Sequence, residues 1–190
     1  MTMTSPIWHM SALFPHGIYD LQHNDAMINI GVSAETSEVA CGSIKLCWKS
    51  VGLQRYSDAT AILILADGGG SNSSSRHVFK EALQQLSNEI GIELRMTHYP
   101  PYTSKWNPIE YKLFPHVTRA MSGVVFKNHE LVRELIENIY TEQGLKVTAN
   151  IIDKVCETGK MACKEIYDTG TIVFDQVLGK LNYKVRPDTS

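Results

Sequence analysis

The apolar run Thr60–Ala66 (TAILILA), closed by Asp67 and three glycines, constrains the fold of this chain more than any other segment. Seven apolar residues rich in β-branched side chains predict a strand over 60–66 buried on both faces. Only the interior of a sheet with helices above and below offers such a place. The flanking segments agree. Residues 17–21 (GIYDL) and 26–32 (AMINIGV), joined by His23-Asn24-Asp25, predict a β-hairpin. Val39, Ala40, Ile44, Cys47, Trp48 and Val51 recur at helical spacing, so 35–51 predicts a helix that Ser33 or Thr36 can cap.

Beyond the run, 74–90 predicts a helix stopped by Gly91, and 92–98 predicts a strand whose exit Pro100-Pro101 keeps extended. Helices follow over 107–121, with Pro108 in the first turn, and over 128–142, capped by Asn128. Strands are expected near 145–151 and 171–174. The order β-β-α-β-α-β-α implies a mixed α/β sheet with helices on both faces, and right-handed crossovers put strand 60–66 near its centre.

Composition narrows function. With 18 Lys and Arg against 20 Asp and Glu, the net charge of −2 excludes a globally basic, histone-like DNA binder and an acidic disordered tail. No stretch reaches the length of a membrane span, and residues 1–15 lack the basic and apolar regions of a secretory signal, so a cytoplasmic protein is expected. Cys41, Cys47, Cys156 and Cys163 have neither zinc nor CxxC spacing and are expected to be free thiols. Residues 1–44 contain no Lys or Arg, whereas 91–127 carry Arg95, Lys105, Lys112, Arg119 and Lys127 against Glu93 and Glu110. A DNA-facing surface, if there is one, belongs in that middle stretch, although charge alone favours a solvated face with chance clustering.

Two places carry candidate chemistry. Asp67 stands at the carboxyl end of the buried strand, where open α/β sheets gather functional groups. The glycines after it permit close backbone approach, and Ser71 and Asn72 add short polar side chains. The second place is His98 to Glu110 (HYPPYTSKWNPIE), which packs proline, aromatic, amide and acid into one strand-to-helix connection. An acid in a first helical turn is favoured by the helix dipole alone. The functional alternative has Glu110 pointing back over the sheet toward Asp67. Two converging carboxylates hold divalent cations, and two such ions about 4 Å apart activate water and stabilise a departing phosphodiester oxygen.

The blocks GIYDLQHNDAMINIGV, LADGGGSN, HYPPYTSKWNPIEYKLF and GLKVTANI together resemble the ISAzo13-type family of DDE insertion-sequence transposases over most of 16–152. PPYTSKWNPIE is also similar to the PPYSPxxNPIE block of IS630/Tc1-mariner relatives. The resemblance implies an RNase H-like domain that cuts and joins DNA with Mg²⁺ or Mn²⁺. Its second and third catalytic acids map onto Asp67 and Glu110, which are thereby expected to be catalytic and metal-binding. Lys105, Trp106 and Asn107 match the motif around the third acid. Asn72 and Asn107 are expected to position DNA or the acids, and Lys105 to contact phosphate. The expected partners are DNA at transposon ends and a second copy of the chain, with no membrane.

The resemblance breaks at the first acid. Relatives carry it on a central strand of the form IDTKKKE, upstream of the GVYD block, and MTMTSPIWHMSALFP contains no acid. Ser33 also stands where relatives have an acid, and Glu35 matches only in part. Asp20 belongs to the second strand and is a poor substitute. The expectation is an N-terminally truncated domain lacking its first, central strand, inactive alone and exposing sheet edges that favour self-association. Its organisation is expected to be a non-matching segment at 1–15, a partial catalytic core at 16–125 and a helix and strand extension at 126–190. Two alternatives stand beside it: a non-catalytic DNA-binding or regulatory remnant, and an unrelated phosphate-binding enzyme using the DGGGSN turn, which lacks the P-loop pattern.

Overall fold

The computed structural model describes residues 1–4, 14–31, 37–68, 77–124, 128–152, 171–179 and 181–188. The elements are β1 (Thr2–Thr4), β2 (Phe14–Asp20), β3 (Asp25–Gly31), α1 (Ser37–Cys47), α2 (Leu53–Arg55), β4 (Ala61–Asp67), α3 (His77–Ile90), β5 (Glu93–Tyr99), α4 (Pro108–Lys112), α5 (Phe114–Met121), α6 (His129–Glu137), β6 (Lys146–Ile152), β7 (Ile172–Phe174) and β8 (Asn182–Val185). A π turn at Trp48–Gly52 joins α1 to α2, and a 3₁₀ turn at Ser104–Trp106 precedes α4. All strands lie in one eight-stranded sheet, ordered β6-β3-β2-β1-β4-β5-β8-β7. Strands from 126–190 thus border both flanks of the sheet that 14–99 builds.

The fold is the expected mixed α/β sheet, with one correction. The central strand is present. Thr2–Thr4 pairs antiparallel with β2 (Met3 opposite Ile18) and parallel with β4 (Met3 opposite Ala66), and the pairing extends to Leu65 N–H donating to Met1 O at 2.8 Å. Backbone groups make this ladder, so it needs no side-chain signature, and three residues are too few for a period-2 pattern. The unpaired edges expected on either side of a missing strand are therefore filled. The strand reads Thr-Met-Thr and itself carries no acid.

Two apolar layers sandwich the sheet. On one face Met3, Ile18, Met27, Ile62, Ile64, Ala66, Leu94 and Met96 pack under α1 and α3, with Trp48, Phe79 and Leu83 buried among them. On the other, Tyr19, Ala26, Ile28 and Ile30 meet Ile109, Leu113, Phe114 and Val117 of α4 and α5 and Val132 and Ile136 of α6. Each fully buried aliphatic side chain contributes about 2 kcal/mol.

The second layer covers β2, β3 and β6 but stops short of β4, which corrects another expectation. β4 is not buried on both faces: Ile62, Ile64 and Ala66 are buried, while Leu63 is 52% exposed beside Arg95 of β5. A continuous apolar run does not reveal which face its neighbours leave uncovered.

The expected helix 107–121 is broken at Leu113 into α4 and α5. Pro115 explains the break, because it has no N–H to donate to the Tyr111 carbonyl and its ring crowds that group. The last helix ends at Glu137 rather than 142. Its cap is as expected, with Asn128 Oδ1 accepting from Leu131 N–H at 2.9 Å. Cys41 and Cys47 are buried free thiols, and burial pushes the Cys47 pKa up to about 11.

Candidate active site

β1, β4 and β5 run parallel, so Asp67 and Tyr99 stand side by side at the strands' carboxyl ends. The chain leaves Tyr99 through Pro100-Pro101 and turns at Tyr102. The Thr103 hydroxyl ties the turn by donating to Pro100 O at 2.7 Å. After the 3₁₀ turn the chain reaches Asn107, the residue before α4.

Asn at this position ordinarily caps the helix with its side chain. Asn107 makes no such cap. Its Nδ2 instead donates to Asp67 Oδ1 at 3.0 Å, holding the strand-end acid against the helix start. Asn107 is fully buried, and its Oδ1 has no partner among the described residues. A buried acceptor left unpaired costs about 1–3 kcal/mol.

Glu110 lies in the first turn of α4 and is half-buried. Burial, and then the negative charge of Asp67, push its carboxyl above the ordinary glutamate range. The same causes act on the adjacent Tyr99 phenol, where burial, the neighbouring Tyr111 and then Asp67 raise the pKa. No Lys or Arg forms an ion pair with Asp67 or Glu110 among the described residues.

Gly17 makes this convergence possible. A Cβ there would lie 3.1 Å from Ile109 Cδ1 and 3.2 Å from the Phe114 ring, so its absence lets α4 and α5 settle on β2. Ile109 is fully buried in that seat, and Glu110 follows it in the chain.

The structure thus brings Asp67, Asn107 and Glu110 together. Lys105 Nζ lies 5.5 Å from the centre of the Trp106 ring, and Trp106 is 66% exposed. Asn72, Gly69, Gly70 and Lys127 lie outside the described residues. His98 is at the same end of the sheet but on the opposite face, where its Nδ1 pairs with Leu181 O at 3.0 Å and its ring stacks on Tyr183. Asp20 is excluded as a third member. β2 runs antiparallel to β1, which carries Asp20 to the far end of the sheet.

Two features escaped the reading of the sequence. Gly17 looked like any strand glycine, because its role depends on helices about a hundred positions later. Tyr102 has φ 66° and is completely exposed. Left-handed backbone at a bulky residue costs about 1 kcal/mol or more. The only other non-glycine with positive φ among the described residues is Asn24, in the β2–β3 turn, where Asn is at home.

A profile of the Rhodopirellula transposase DDE domain matches residues 6–187. The chain belongs to this transposase family. The match extends on both sides of the 16–152 stretch whose motifs first pointed to it. No curated protein and no solved structure shows significant similarity to the chain. Family membership makes DNA transposition the general function and divalent-metal chemistry the general expectation.

The donor set of this DDE domain suits such an ion in kind: the Asp67 carboxylate, the Glu110 carboxyl that burial and Asp67 push up, and one orphaned amide oxygen, all hard oxygen donors. No cluster of three or more His, Cys, Asp or Glu able to hold a metal exists among the described residues.

Proposed function

We propose that this chain is a DDE transposase domain that engages DNA at transposon ends and holds one divalent ion between Asp67 and Glu110, without cutting DNA on its own. The observation that carries the reading is the diverted Asn107 side chain, which gives up its helix cap to fix Asp67 beside Glu110. When bound, Mg²⁺ or Mn²⁺ supplies Lewis-acid stabilisation of phosphate charge.

The chain's own residues do the rest. Asn107 Nδ2 orients Asp67. Glu110 holds a proton more tightly than a free glutamate, and a bound cation would compete with that proton. Lys105 and Trp106 stand at the rim for phosphate contact. Because β1 carries no acid, the cage suited to a second ion is incomplete, which accounts for the proposed inactivity. The same fact favours the second reading, a DNA-binding remnant that competes with complete transposase. A protein that acts on DNA would work in the cytoplasm; no helix among its described residues is long and apolar enough to cross a membrane.

The test pairs calorimetry with a nicking assay. Mn²⁺ titrated into the chain should bind at one site, and Asp67→Asn or Glu110→Gln should remove the binding. DNA bearing the cognate inverted repeats should remain intact in Mg²⁺ or Mn²⁺. Robust cutting abolished by Asp67→Asn would overturn the claim of inactivity. Salt-dependent DNA binding with no Mn²⁺ site would leave only the second reading.

A further inference from the structure

Beside the acid pair lies a surface whose cost the fold does not explain. Tyr102 is fully exposed on left-handed backbone, Trp106 is 66% exposed and Tyr111 is 54% exposed. All three fall within one ten-residue connection that Asn107 anchors to Asp67. Three large rings each left more than half exposed, one on strained backbone, are not what core packing selects. Cations accompany them. Lys105 lies over the Trp106 ring, and neither Lys105 nor Lys112 has a carboxylate partner among the described residues.

Rings offering open faces beside unpaired cations fit one class of ligand, the bases and phosphates of an unpaired strand. In a duplex those base faces are already stacked. We infer that Tyr102 and Trp106 form a stacking platform for an unpaired nucleotide of DNA, with Lys105 on its phosphate, so that single-stranded or frayed DNA is the preferred substrate at this site. The inference rests on the DNA reading above and specifies the form of the DNA.

The experiment uses the full chain in EDTA, so that binding is read without metal. A fluorescein-labelled oligothymidylate of about 15 nucleotides is compared with a blunt duplex of equal length by anisotropy. The single strand should bind at least tenfold more tightly. Trp106→Ala and Tyr102→Ala should each weaken it by roughly fivefold to a hundredfold, the range for loss of one base stack, while Tyr102→Phe keeps most of the affinity.

Tyr102→Gly separates binding from structure. Glycine relieves the left-handed backbone, so the melting temperature should hold or rise while single-strand affinity falls as in Tyr102→Ala. Equal affinity for strand and duplex would overturn the inference. So would full affinity in both Trp106→Ala and Tyr102→Gly, which would assign the patch to a protein partner instead. Failure of the metal reading would show in calorimetry and leave these titrations unchanged.

Discussion

Asp20 and Asp25, at the hairpin end of the sheet, are neutralised from several sides, whereas Asp67 and Glu110, at the opposite end, have each other and one amide. Asp20 accepts from the Tyr56 hydroxyl at 2.8 and 2.9 Å and from Gln22 N–H at 3.0 Å, and pairs with His23 Nδ1 at 3.2 Å. Arg55 bridges it to Asp25. Burial there pushes the Asp20 carboxyl up, but the Tyr56, Gln22 and His23 contacts outweigh it and its pKa falls below the ordinary range. The same network drives the Tyr56 phenol up to about 12, through burial and its bond to Asp20. At the other end burial and like charge act in one direction, and Glu110 rises. Carboxylates whose partners are built into the chain hold the fold together. Carboxylates that repel each other with no cation built in beside them leave room for positive charge from outside the chain.

The largest effect that divides the two ends is on cation affinity. Asp67→Asn and Glu110→Gln should each abolish measurable Mn²⁺ binding in calorimetry while leaving the melting temperature level or higher, since each removes a repulsion. Asp20→Asn should leave Mn²⁺ binding unchanged. A loss of Mn²⁺ binding in Asp20→Asn would mean that the two ends are not separate sites.

Packing gives the next contrast. Gly17→Ala puts a methyl against Ile109 and the Phe114 ring at 3.1–3.2 Å, tighter than ordinary contact. It should cost about 1–3 kcal/mol in urea unfolding. It should also weaken Mn²⁺ binding, because lifting Ile109 carries Glu110 away from Asp67. Unchanged Mn²⁺ affinity in a destabilised Gly17→Ala protein would show that α4 does not set the acid separation.

The two ends also differ in how far the chain announced them. Asp67 was legible because a strand-terminal acid after an apolar run has a local signature, and Glu110 because the NPIE block sits at a helix start. The Asp20–Tyr56–Arg55 network had none. Its members come from β2 and the end of α2, thirty-five and thirty-six positions apart, and meet only once the sheet has formed. β1 was illegible for a related reason: its three residues are held by backbone pairing to partners thirteen to seventeen and sixty-three positions away. Pro115 was plainly visible, yet the apolar period across it masked the break. The uncovered side of Leu63 depends on where α4 and α5 stop, which no window around β4 contains.

The smallest effect is on acid stability, and its sign differs between the ends. Asp20 has its pKa lowered on folding, so its contribution is present above the unfolded value near 3.8 and is lost as pH falls through the folded value. Glu110 has its pKa raised, so its contribution is present below the unfolded value near 4.5 and is lost as pH rises through the folded value. Urea midpoints measured from pH 3 to 7 should therefore shift in opposite ways. Asp20→Asn should lose about 1–2 kcal/mol near neutrality and converge on the parent at the acid limit. Glu110→Gln should match the parent in acid and exceed it once pH has risen through the folded Glu110 value, where the parent must carry two charges side by side. Parallel curves for the two variants would mean that the carboxylates share one environment, and the distinction between a saturated and an unsatisfied end would fail.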